Sequence, residues 1–243
     1  MNLTQRQQDI LFAIIDAYSQ GCPSVGSNML VQNYDLGVSS ATVRNEMVDL
    51  MRAGLLEKSY ASAGRIPTDL AFRYFVNQKL DNAVLDSVRL VQIRQGIYKV
   101  RFEQDRLIKT ILQILSDISE VASFVMVDDM LHYHGVSNLM KYEELRSVEQ
   151  LQRLLEVLED ENLLPNLLSE FASNSEQVKL LIGGEIGIQD MDDFVVLFTQ
   201  APFMAGQVST IGLIGPRRLD YEVAVPALEV MQEALDEGTR HWQ

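Results

Sequence analysis

From Val25 to Glu57 the chain reads VGSNMLVQNYDLGVSSATVRNEMVDLMRAGLLE. Ser27 can open a short helix carrying Met29, Leu30 and Tyr34. Asp35, Leu36 and Gly37 then make a tight turn, in which the glycine is free to take a positive φ. Ser39 or Ser40 caps a second, longer helix, where Val43, Met47, Leu50 and Met51 recur on one stripe while Thr42, Arg44, Asn45 and Arg52 look outward. Gly54 stops it. Two helices joined by a glycine-bearing turn, the second opening on hydroxyl residues and presenting Arg and Asn in its first turns, form the pattern of a recognition helix.

The flanks extend the same reading. Upstream, Thr4 and Gln7 form a capping box, and Ile10, Leu11, Ile14, Ile15 and Tyr18 recur at helical spacing until Gly21. Downstream, Leu55 and Leu56 enter a strand, Ser59 to Gly64 form a small-residue tip, and Arg65 to Pro67 return from it. Thr68 and Asp69 cap a further helix with apolar positions at Leu70, Tyr74 and Phe75. The whole predicts a winged helix-turn-helix over residues 1–79. Arg44 and Asn45 have the donor and acceptor groups to read guanine and adenine edges in a major groove, and the serine-rich helix start suits phosphate oxygens.

Beyond this part, Val84, Leu85, Val88 and Val91, then Leu107, Ile108, Ile111, Leu112, Leu115 and Ile118, fall at helical spacing on either side of Gly96. They predict a helical connector over 80–118, suited either to an internal core or to a dimer seam. Residues 119–243 predict strands at Val121 to Val127, Val178 to Ile182, Phe194 to Phe198 and Val208 to Ile214, the last two as an antiparallel hairpin. Val148 to Phe171 reads as helical with a break at Pro165, and Asp220 to Leu235 as a closing helix that Pro226 bends. The fold class is α+β.

Charge separates the same parts. The 243 residues hold 34 acidic and 20 basic side chains, a formal −14 that taken alone opposes nucleic-acid binding. Residues 1–110 hold 13 Lys/Arg against 11 Asp/Glu, a net of +2, and residues 111–243 hold 7 against 23, a net of −16. A basic cluster of Arg89, Arg94, Lys99, Arg101, Arg106 and Lys109 closes the front part. Apolar runs such as Ile10 to Ile15 fall far short of the roughly 20 residues a membrane span needs. With Asp9 and Asp16 where a signal peptide would be apolar, and one cysteine, Cys22, the expected setting is the cytoplasm.

Two stretches closely resemble the HrcA heat-shock repressors of bacteria: Val25 to Glu57, quoted above, and SAGRIPTD, Ser62 to Asp69. GVSNLM (Gly135 to Met140), LIGGE (Leu181 to Glu185) and GLIGPRRLDY (Gly212 to Tyr221) resemble that family's GAF-like domain more loosely. The resemblance implies a homodimeric repressor on an inverted-repeat operator in double-stranded DNA, kept active by the GroE chaperonin. It places Ser39, Ser40, Thr42, Arg44 and Asn45 in or at the major groove, with Ser62, Gly64 and Arg65 in the wing. Tyr60 stands where many relatives have histidine. Between Asp129 and Gly135 the family carries further strands and an inserted dimerising domain, for which this chain leaves only a few residues, so its GAF-like α+β domain is a reduced one.

Enzyme signatures are weak. His132 and His134, with Asp128 and Asp129 upstream, fall at strand spacing for metal ligation, but no third ligand is evident in the sequence. Gly183, Gly184 and Gly187 lack the Lys-Ser/Thr ending of a phosphate loop, and Cys22 has no histidine near it in sequence. The expectation is a non-enzymatic DNA-binding repressor without metal or cofactor. The rival reading makes the winged helix a docking surface for a protein and the acidic domain a ligand sensor.

Overall fold

A computed structural model describes residues 3–58, 64–79, 84–171 and 177–239. The chain divides into two compact units, Met1–Asn82 and Ala83–Gln243.

In the first unit, α1 (Gln5–Ser19) opens with the Thr4/Gln7 capping box complete and buries Ile10, Leu11, Ile14 and Ile15. α2 (Ser27–Asn33) follows, then α3 (Ser40–Arg52). Ser27 is not the cap expected of it. Gly26 holds that position with no side-chain bond, and Ser27 is the first helical residue, buried with Leu30. Gly37 takes the left-handed conformation, φ 63°, in the turn before α3. β1 (Leu56–Lys58) and β2 (Arg65–Pro67) pair antiparallel with Leu56 opposite Pro67 and Lys58 opposite Arg65. A bridge from Val25 to Arg65 adds a third extended segment to this small sheet.

α4 (Asp69–Lys79) closes the unit. Thr68 anchors its start: the hydroxyl donates to the Gly54 carbonyl at 2.7 Å and accepts from the Ala71 amide at 3.3 Å. Phe75 meets Phe12 edge-to-face at 5.3 Å between ring centroids, and Phe72 packs beside Tyr18 at 6.1 Å. Leu70, expected on the apolar face, is exposed. The faces are set by Ala71, Phe72 and Phe75, all buried.

The second unit begins with α5 (Ser87–Val100) and α6 (Gln104–Ser119). The expected connector helices are thus part of its fold: both lie against α9 (Tyr221–Thr239), and α6 also packs on the sheet. Ile93, Ile97 and Val100 of α5 and a broad stripe from Leu107 to Ile118 of α6 are buried accordingly. The sheet has five antiparallel strands in the order β4 (Met130–His134), β3 (Ala122–Val127), β7 (Val208–Pro216), β6 (Phe194–Pro202), β5 (Lys179–Ile182). This is the α+β layering expected. Gly212 lies opposite Phe124, whose ring would stand 2.2 Å from any Cβ added there, so the close strand pairing requires glycine.

β4 had no place among the strands read from sequence. It forms a hairpin with β3 because Asp128 and Asp129 adopt positive φ, 50° and 62°, in a two-residue turn. Pro165 is not a break either. α7 (Val148–Glu159) ends where the Asp160 carboxylate accepts from the amides of Asn162 and Leu163, at 2.8 and 3.0 Å. α8 (Leu163–Glu170) then starts afresh with Pro165 in its first turn, where no helical N–H is needed. Pro226 lies inside α9, beyond its first turn, and the helix continues through it to run 19 residues.

The segments at Gly135, Leu181 and Gly212 converge on one end of the sheet. Ile182 pairs Val195, which in turn pairs Gly215, and Val121 at the start of β3 borders both Gly215 and Gly135. There the Asn138 side-chain amide donates to Ser116 Oγ at 2.9 Å, and Ser116 donates to the Val121 carbonyl at 2.8 Å. Arg218 pairs with Glu144 across two bonds of 2.5 and 2.9 Å.

Candidate nucleic-acid interface

α3 is held from beneath and open above. Val43, Met47 and Leu50 are fully or almost fully buried, as the apolar stripe requires. Between them lies a buried acid, Glu46, whose carboxylate accepts from Arg6 Nε of α1 at 2.7 Å. Sequence periodicity gave no signal for this tie, because a glutamate beside an apolar stripe looks like an outward-facing residue. Behind the turn, the Tyr34 hydroxyl donates to Asp16 at 2.6 Å. Loss of solvent and the Asp16 carboxylate push that phenol above its ordinary range, so it stays a neutral donor.

The expected base readers stand clear of this support. Arg44 and Asn45 are exposed, and Ala41, Val48 and Arg52 share their side of the helix at i, i+4, i+7 and i+11 spacing. Val48 is 37% exposed, although an apolar residue in a helix otherwise packed by its Val and Met side chains would be placed in the core by type alone. The spacing from Ala41 was the signal available for it. Arg52 bonds Asp49 at 3.0 Å at the far end.

Ser39, Ser40 and Thr42 have different surroundings. Ser39 is the N-cap of α3, its Oγ accepting from the Thr42 amide at 3.2 Å with the Thr42 hydroxyl 3.1 Å away. Ser40 and Thr42 are half-buried. The hydroxyl pair therefore organises the helix start, while the amides of the first turn remain directed outward from the N-terminus.

In the wing, Gly64 is buried where an added Cβ would lie 2.6 Å from Ser24 Oγ, so only glycine fits. Arg65 exchanges two backbone bonds of 2.9 Å with Val25. Its guanidinium is half-buried, with Nε directed at the Met51 sulfur and Nη1 donating to the Gly64 carbonyl. Arg65 thus closes the sheet and lies over the end of α3. Tyr60 and Ser62 fall outside the described residues.

The groups suited to other chemistry do not assemble. His132 and His134 occupy alternate positions on edge strand β4, opposite Val125 and Ser123. Among the described residues no cluster of three His, Cys, Asp or Glu side chains has the geometry to hold a metal ion. Cys22 is a half-buried free thiol. No helix among the described residues is long and apolar enough to cross a membrane.

Four helices with a two-stranded antiparallel sheet and an exposed outer face on α3, in a chain that also holds an α+β unit, have the architecture of a winged-helix transcription regulator. The chain belongs to the HrcA family: the model of the HrcA protein C terminal domain matches residues 38–225. Among curated relatives, the heat-inducible transcription repressor HrcA of Ruminiclostridium cellulolyticum is 24% identical over 344 residues, covering 98% of this chain and 97% of its own. That of Lachnoclostridium phytofermentans is 26% identical over 337 residues, covering 98% of each. Both matched spans exceed the 243 residues of the chain, so these relatives carry segments that it lacks. A crystal structure described as that of a hypothetical protein at 2.2 Å resolution superposes with a TM-score of 0.83 at 17% identity, covering all of both chains.

Proposed function

We propose that the protein is a heat-responsive transcription repressor that occupies an inverted-repeat operator in double-stranded DNA as a homodimer. The reader is the unit Met1–Asn82, and the unit Ala83–Gln243 regulates and assembles it. The observation that carries the proposal is the outward face of α3, where Arg44 and Asn45 stand exposed on a helix whose opposite face is buried. In the major groove Arg44 reads guanine, Asn45 reads adenine and the Val48 side chain meets a thymine methyl. Ser39, Ser40 and Thr42 bring the helix start to the phosphates, and the wing, with Tyr60, Ser62, Gly64 and Arg65, lies along the neighbouring backbone. Arg65 reaches it by swinging off Met51.

Selection of bound fragments from a random DNA pool tests this directly. The expected result is one inverted-repeat consensus, with Arg44→Ala and Asn45→Ala each relaxing the preference at one position per half-site. Recovery of fragments with no shared sequence would overturn it. Control by GroE, as the family likeness implies, predicts that added chaperonin raises the fraction of protein able to bind the operator. An unchanged fraction would remove the chaperonin from the scheme.

A further inference from the structure

α5 buries one face and leaves an apolar stripe on the other. Ile93, Ile97 and Val100 point into the second unit, whereas Val88 (75% exposed), Val91 (45%) and Tyr98 (64%) lie opposite them in solvent. Val84 before the helix (80%) and Phe102 after it (62%) extend the stripe in both directions. Gln95, also exposed, continues the line between Val91 and Tyr98. Within α5, Val88, Val91, Gln95 and Tyr98 form one line at i, i+3, i+7 and i+10, the spacing of a helical seam, while Val84 lies in the non-helical segment before the Asp86 cap and Phe102 just beyond the Arg101 cap.

We infer that this stripe is the dimer seam, and that its occupant is the same stripe of a second copy, run antiparallel about a two-fold axis beside Ile93. Within the helix the line is symmetric about that point: Val88 then faces the partner's Tyr98 and Val91 the partner's Gln95, and the segment at Val84 runs toward the partner's Phe102. Small side chains at one end meet large ones at the other, so ridges fill hollows along the whole length. A cleft of about 420 Å³, lined by Arg94, Tyr98, Arg101, Phe102 and Ala234, lies at the C-terminal end of α5 and receives the partner's Val84 end. Parallel packing would oppose Tyr98 to Tyr98 and leave the valines apart.

Area agrees with a second copy as occupant, and charge restricts where that copy can approach. Five such side chains present roughly 500 Å² per copy, so a two-fold pair reaches about the 1,000 Å² that a biological interface needs. The unit as a whole carries 13 Lys/Arg against 26 Asp/Glu, a net of −13, and two copies repel over most of their surface. Arg89, Arg94, Lys99 and Arg101 make α5 the least acidic approach. The Arg101 guanidinium lies over the rings of its own Tyr98 and Phe102, 3.7 and 4.3 Å from their centroids, so the aromatic end of the seam is positive, and antiparallel pairing brings the partner's Asp86 end toward it.

This deepens the reading above and rests on it only for the two-fold requirement. Sedimentation velocity of the full chain tests it without DNA: the parent sediments as a dimer at micromolar concentration, and Val91→Glu raises the dissociation constant at least a hundredfold. Because Val91 is exposed, the far-UV dichroism of the variant stays that of the parent, and its unfolding midpoint matches the parent's at concentrations below the dimer dissociation constant. In a Cys22→Ser background, Val91→Cys mixed with Gln95→Cys forms a disulfide-linked heterodimer. A monomeric parent, a dimer indifferent to Val91→Glu, or disulfides only between identical variants would each overturn the seam. Binding to a single half-site separates the two proposals: Val91→Glu keeps the parent's half-site affinity if the reader is right, whatever becomes of the seam.

Discussion

Ser39 and Arg44 sit five residues apart at the start of the same helix, yet their side chains have different work. The Ser39 hydroxyl is committed to the Thr42 amide, and its removal leaves a first-turn donor without that acceptor. Ser39→Ala should therefore cost about 1 kcal/mol of folding stability, read as a lowered urea midpoint. Arg44 is exposed at the surface, so Arg44→Ala should leave stability within about 0.5 kcal/mol of the parent while weakening operator binding by about 1–3 kcal/mol. Fluorescence anisotropy on the selected operator, beside the urea curves, checks both. Equal loss of stability in the two variants would mean that Arg44 supports the fold. Glu46 gives a third case at this scale. Arg6→Ala strips its buried carboxylate of the Arg6 bond, and the expected loss of about 1–2 kcal/mol should shrink when Glu46→Gln is added.

Among the elements, the crossing of α5 and α6 is the tightest test of packing. A Cβ at Gly96 would stand 2.4 Å from the Cδ1 of Ile114, which is buried on α6. Gly96→Ala gains about 1 kcal/mol of helix propensity and meets an overpacking cost of about 1–3 kcal/mol, so a net loss is expected. Ile114→Val removes the offending methyl. The double variant should unfold at a higher urea concentration than the Ile114→Val single, reversing the sign of the alanine's effect. The same residues show where the sequence was readable. α1 and α3 were legible because caps and a 3.6-residue period lie within a few residues of each other. The period at Val84, Val88 and Val91 also marked a helix, but period reports that a face is apolar and not what covers it. That is why α5 and α6 read as a connector and prove to be joined to α9. β4 escaped because its pairing depends on two aspartates at positive φ, a conformation their type permits without announcing. In the reader, the outward face of α3 was legible from residue type and spacing, whereas the burial of Glu46 and the seat of Arg65 on Met51 depend on contacts far apart in sequence.

At the scale of the whole molecule, the unit boundary revises the charge division. Residues 1–82 hold 7 Lys/Arg against 8 Asp/Glu, a net of −1, so the proposed reader is not a basic body even by itself. Several of its cations are already engaged: Arg6 on Glu46, Arg52 on Asp49 and Arg65 at Met51. The positive cluster of the connector region belongs to the acidic unit, where Arg94 bonds Glu233 and Glu237, Arg89 lies by Asp86 and Arg106 by Glu103. On the proposed function, affinity for DNA must then come from a few well-placed contacts rather than from a basic surface. With about three phosphates neutralised per subunit, log K should fall against log salt with a slope near −3 for a half-site and near −6 for the full operator. Anisotropy titrations between about 50 and 200 mM salt measure both slopes. A half-site slope much steeper than this would mean that Arg89, Arg94 and their neighbours leave their carboxylates for the duplex, and the same cations would then be lost from the α5 seam. The seam and the shallow slope therefore stand together: a protein that dimerises along α5 has those cations occupied away from DNA, and Val91→Glu should change the full-operator slope toward the half-site value without altering the half-site slope itself.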